Sequence, residues 1–172
     1  MNPLNYPITE EEYQVARKIH DKGLALLEQG KYELAVKQFS EALSKFPVWG
    51  TALLNRGLTY YYMRKFELAL EDLNKAIEFK PSSANAYYNR GLVYADMGKP
   101  EKAIDDFNRS LNLNPENAFA LINRGLLLVQ LNKKKTGVLD LVRAIGIMPH
   151  LKYNLPYEIQ KLIDRYNDGL AI

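Results

Sequence analysis

The chain has 172 residues, 47% hydrophobic and 25% charged, with a formal net charge of +3. This is the composition of a globular protein; no apolar run approaches membrane-span length, and so small a charge is no argument for nucleic acid. The absence of cysteine excludes disulfides and thiolate metal sites and fits a reducing compartment, so a cytoplasmic location is expected.

Residues 1–8 lack the basic start and apolar core of a secretion signal, and Pro3 and Pro7 predict an extended segment. Thr9 then opens a helix. Glu12, three residues on, completes a capping box, and Ile8 and Tyr13 supply the two halves of a hydrophobic staple. Glu10, Glu11 and Glu12 place negative charge at the positive end of the helix dipole. Further along, Leu53, Leu54, Gly57, Leu58, Tyr60 and Tyr61 follow helical spacing, as do Leu68, Ala69, Leu73, Ala76, Ile77 and Phe79. Arg64-Lys65 forms the turn between these two helices; elsewhere the turn holds Gly30 or Gly98, suited to the positive φ that ends a helix. Pro47, Pro81, Pro115 and Pro149 close successive helix pairs. A last helix is predicted from Pro156 to about Asn167, with Ile159, Leu162, Ile163 and Tyr166 as its apolar stripe and Gly169 as its stop. It reads as a cap over the preceding pair, with docking on another chain as the alternative.

These pairs are copies of one unit. Asn-Arg-Gly occurs at 55–57, 89–91 and 123–125, a spacing of 34 residues, with a weaker copy at Asp21-Lys22-Gly23. Small residues recur in the same register at Ala35, Ala69, Ala103 and Gly137, and again at Ala42, Ala76, Ser110 and Ala144. Between them stand Phe39, Leu73, Phe107 and Leu141. This pattern resembles the tetratricopeptide repeat (TPR) family. The resemblance implies an all-α solenoid of four helix-turn-helix repeats, at 16–49, 50–83, 84–117 and 118–151. Residues 1–15 would be an N-terminal extension with the start of the first helix, and 152–172 a capping helix and tail. The fourth repeat departs from the others: Asn132 replaces the turn glycine, Lys133, Lys134 and Lys135 fill the turn, and Gly137 replaces alanine.

No catalytic, metal-binding or cofactor-binding arrangement is present. The histidines, His20 and His150, stand far apart, and the glycines are periodic rather than clustered. His150 reads as surface. His20 falls where the family faces its groove, and its bland reading is exposed surface. The resemblance implies a non-catalytic scaffold that holds an extended peptide of a partner protein in a concave groove. Asn55, Asn89 and Asn123 occupy one register position and would form an amide ladder able to donate to and accept from a peptide backbone. Tyr61, Tyr62, Asn85, Tyr88 and Phe119 would flank it. The family's clamp for a chaperone's C-terminal carboxylate is rejected, because its cation positions hold His20, Asn85 and Asn89, or Leu54, Phe119 and Asn123. Arg56, Arg90 and Arg124 each have an aspartate 16 residues on (Asp72, Asp106, Asp140), which predicts ion pairs rather than a phosphate track. A helical-repeat RNA reader and a self-assembling homo-oligomer remain as alternatives.

Overall fold

The computed structural model describes residues 9–170 and contains no strand among them. The helices are α1 (Glu10–Glu28), α2 (Tyr32–Lys45), α3 (Gly50–Tyr62), α4 (Phe66–Phe79), α5 (Ala84–Asp96), α6 (Pro100–Leu113), α7 (Ala118–Gln130) and α8 (Lys134–Ile147), then a short 3₁₀ helix (Pro149–Asn154) and α9 (Tyr157–Asn167). They fall into two compact units that divide between Val93 and Tyr94, inside α5.

In the first unit α1 packs on α2, α2 on α3, and α3 on α4. Leu43, Ala52, Leu53, Ala76 and Ala86 form a core on which Trp49, Leu54, Ile77 and Phe79 pack. Phe39 and Leu73 are fully buried; each such side chain contributes about 1.5–3 kcal/mol relative to exposure. Helix α1 has 19 residues against 13 in α3, the longer first helix expected of Thr9. Its capping box is complete. The Thr9 hydroxyl accepts from the Glu12 N–H at 3.2 Å, and the Glu12 carboxylate accepts from the Thr9 N–H at 2.9 Å. Ile8, the other half of the expected staple, and the extended segment at Pro3 and Pro7 lie outside the described residues.

In the second unit α6 packs on α7, α7 on α8, and α8 on α9. Val138, Leu141, Leu155 and Ile163 form its core, with Ile159, Leu162 and Tyr166 of α9 packed around them. Helix α9 therefore spends its apolar stripe on α8 of its own chain.

The helix pairs meet through small residues. A Cβ on Gly57 would come within 2.9 Å of Leu73 and 3.3 Å of the Ala69 carbonyl oxygen. At the fourth pair the approach is tighter: a Cβ on Gly137 would sit 2.6 Å from the Gly125 carbonyl oxygen. Glycine at 137 is thus what the crossing requires, although in isolation it costs a helix roughly 1 kcal/mol against alanine. The turns need a left-handed residue at one position whatever its identity: Gly30 and Gly98 take φ of 70° and 69°, and Arg64 and Asn132 take 56° and 61°. No described helix is long and apolar enough to cross a membrane.

Candidate functional site

In the first unit, α3 and the start of α5 bring several of the expected residues together. Asn55 and Asn85 line one pocket of about 230 Å³ with Thr51, Leu54, Lys80 and Ser83. The Ser83 hydroxyl oxygen accepts from the Ala86 N–H at 3.3 Å, which leaves its own hydrogen to donate. Lys80 has no ion-pair partner among the described residues. The pocket thus offers an ammonium, two hydroxyls and two amides above an apolar floor of Leu54 and Ala76.

Aromatic rings gather at the far end of α3. Tyr62 is 49% exposed and stacks on Tyr32 at 5.6 Å between centroids. Tyr61 lies 5.6 Å from Tyr62 and 6.3 Å from Phe66, and the Arg64 guanidinium sits 5.0 Å over the Phe66 ring. Tyr61 and Tyr88 are half-buried, and Asn89 is buried at 6% exposure. In the second unit Phe119 is 51% exposed, while Asn123 is half-buried and donates to the Phe119 carbonyl at 2.8 Å. The amides therefore differ in what they present: Asn85 is open, Asn55 and Asn123 are half-covered, and Asn89 is enclosed.

His20 is not the exposed surface residue expected of it. It is 5% exposed, 4.6 Å from the Trp49 ring and 5.4 Å from the Phe39 ring. Its Nε2 meets the Asn55 side-chain nitrogen at 3.0 Å. The same register position holds Leu54, Tyr88 and Ile122 in the other repeats, so no periodic signal in the sequence marked this contact.

The arginines are structural. Arg56 holds Asp72 with two bonds, of 2.7 and 2.8 Å, and Arg124 holds Asp140 with two of 2.7 Å. The Asp72 hydrogen bonds raise the pKa of Arg56, keeping the guanidinium charged although it is partly buried. Arg90 and Asp106, the third expected pair, fall on opposite sides of the unit boundary. The third nitrogen of each arginine reaches back 16 residues: Arg56 to Ser40 at 2.9 Å, Arg90 to Asn74 and Arg124 to Asn108 at 2.7 Å. Ser40, Asn74 and Asn108 are themselves 34 residues apart, a periodicity the sequence displayed and the expectation of simple pairs missed. Only Lys133 precedes α8, as its N-cap, and Lys134 and Lys135 are the first residues of the helix rather than turn residues; all three are exposed, and among the described residues no cluster of three or more histidine, aspartate or glutamate side chains could hold a metal.

Three family models match in succession. Models described as tetratricopeptide repeat match residues 20–61 and 84–117, and one described as TPR repeat matches 57–98. Together they span 20–117. No curated protein matches the chain significantly. Among solved structures the chain is similar to the MamA protein, with 25% identity and a TM-score of 0.72 over 91% of this chain and 87% of that one. It is also similar to the first TPR of Spaghetti (RPAP3) bound to the HSP90 peptide SRMEEVD, with 27% identity and a TM-score of 0.67 over 73% and 97% of the two chains. The first TPR domain of human RPAP3 gives 28% identity and a TM-score of 0.67 over 72% and 97%.

Proposed function

The chain belongs to the tetratricopeptide repeat family, and from that premise we propose that it is a non-catalytic interaction scaffold holding an extended segment of a partner protein. The four repeats would run over 16–49, 50–83, 84–117 and 118–151, and the contacts would come from Asn55, Asn85, Asn89, Asn123, Tyr61, Tyr62, Tyr88 and Phe119.

The observation that carries this reading is the pocket between α3 and the start of α5. There Asn55 and Asn85 converge with Thr51, Ser83 and an unpaired Lys80. Amides and hydroxyls hydrogen-bond a peptide backbone irrespective of sequence, and an ammonium beside them favours a side chain that accepts hydrogen bonds, a carboxylate above all. Exposed Tyr62 supplies the amphipathic ring typical of interface centres. Each backbone hydrogen bond would contribute only about 0.5–1.5 kcal/mol net, so the rings would supply most of the affinity and the amides direction and register. The similarity to a TPR domain bound to a peptide agrees with this reading.

The test is capture of partners by the wild type, Tyr62→Ala, Asn85→Ala and Glu71→Lys. The first two substitutions change exposed residues, so the fold should survive them. Loss of the same partner in both, with retention in Glu71→Lys, is expected. A partner retained by both but lost by Glu71→Lys, on exposed α4 surface, overturns the proposal.

A further inference from the structure

Buried His20 bonds directly to one of the pocket's amides, and the chemistry of that bond fixes which way the amide points. The Asp21 carboxylate oxygen 3.3 Å from Nδ1 can only accept, so Nδ1 carries a hydrogen, and in the neutral ring Nε2 is left to accept from the Asn55 side-chain nitrogen 3.0 Å away. This arrangement turns Oδ1 of Asn55 away from the ring, and among the described residues that oxygen has no other hydrogen-bond partner.

We propose that His20 is a positioning residue that sets the hydrogen-bonding polarity of Asn55, and that protonating it turns the amide over. The proposal rests on the α3–α5 pocket being the binding site described above. With the ring neutral, Asn55 offers the pocket an acceptor suited to a backbone N–H. A protonated ring carries hydrogens on both nitrogens, and Nε2–H cannot face an NH₂ group. Rotating the amide about its terminal torsion brings Oδ1 to the ring and presents the NH₂ to the pocket, which then favours a carbonyl or carboxylate. Histidine is the side chain that ordinarily changes charge near neutral pH.

The surroundings are arranged for such a change. Asp21 on α1, 59% exposed at its side chain, is the one charged group meeting the ring among the described residues. Helix α2 contributes Phe39, and α3 with its N-cap contributes Asn55 and Trp49, none of which titrates. Phe39 and Trp49 meet the histidine ring against ring, which leaves the Asn55 amide as the group able to respond.

The test is nuclear magnetic resonance of the free, isotope-labelled protein, titrated from about pH 8 to about pH 5, across the range where histidines ordinarily titrate. The expected result is the Nδ1–H tautomer at the alkaline end, with the Asn55 side-chain amide signals shifting at the same midpoint as the His20 ring. In His20→Phe the Asn55 amide signals should be independent of pH; should that variant not fold, the wild-type titration alone decides. An Nε2–H tautomer at the alkaline end, a ring neutral to the acid end, or Asn55 signals that ignore the ring's titration would each overturn the proposal. The measurement needs no ligand, so its outcome is separate from the capture experiment that tests the pocket itself.

Discussion

Asp72 and Asp140 are carboxylates placed where water barely reaches, with side chains 3% and 9% exposed. Such a charge persists only because an arginine meets both of its oxygens. Removing the arginine would leave the carboxylate buried and unpaired, so the cost is set by that orphan and exceeds the 0.2–1 kcal/mol range of exposed pairs. Arg56→Ala should destabilise the protein by about 3 kcal/mol in denaturant melts, and Arg56→Lys should recover only part of this, because lysine cannot grip both oxygens. Ser110 shows the opposite imbalance. Its hydroxyl is buried with no hydrogen-bond partner among the described residues, at a register position that holds alanine in the other three repeats. Ser110→Ala should raise stability by about 1 kcal/mol, read as a higher melting temperature. The Arg–Asp pairing was legible because both partners recur with one period. His20 was not, because it occurs once and its partner lies on the neighbouring repeat; no periodicity marks a contact made only at one layer.

Helix boundaries were legible where chemistry names them. Thr9 and Glu12 fixed the start of α1. The Glu12 carboxyl is held below the usual carboxylate range chiefly by the Thr9 backbone N–H, then by its hydroxyl. A carboxyl lowered in the folded state contributes its stabilisation in full above the ordinary range and loses it as pH falls through the lowered value. Acidification should therefore loosen the first turn of α1. The Thr9 amide resonance should titrate with Glu12 and stay fixed in Glu12→Gln; a Thr9 amide indifferent to pH in the wild type contradicts this. The turns were less legible. Arg64 and Asn132 adopt the backbone conformation that Gly30 and Gly98 adopt freely, and nothing in an arginine announces it. There the helix-pair geometry overrides the residue's own preference. Gly137 is the reverse case: it looked like a departure from the repeat, and the α7–α8 crossing leaves no room for anything larger.

Across the whole molecule, lysines and arginines exceed acids by 23 to 20, and Arg56 and Arg124 are each bound to a carboxylate. Phosphate binding would need cations that are free and aligned. Single-stranded RNA should accordingly give no complex in mobility-shift assays at about 150 mM salt; a complex whose affinity falls steeply with salt would restore the RNA reading. The repeat architecture itself was open to sequence because a fixed period constrains every layer at once. The candidate pocket was only half open to it: the register named Asn55 and Asn85, while Lys80 and Ser83 enter from the α4–α5 connection, which no helical spacing describes.

The backward reach of each arginine makes every repeat a half-finished joint. A unit brings its own peg and leaves a socket, Ser40, Asn74 or Asn108, for the unit that follows. Chains of this kind lengthen by copying, and a copied unit placed among these would find its fastening already cut. One register later the socket position holds Val142, which packs instead in the core shared with α9. A fifth copy joined there would meet methyl groups where its arginine needs an oxygen. The oxygen that would receive the arginine of a following unit is thus missing at the fourth repeat, and a further copy would have to fasten there by a different contact.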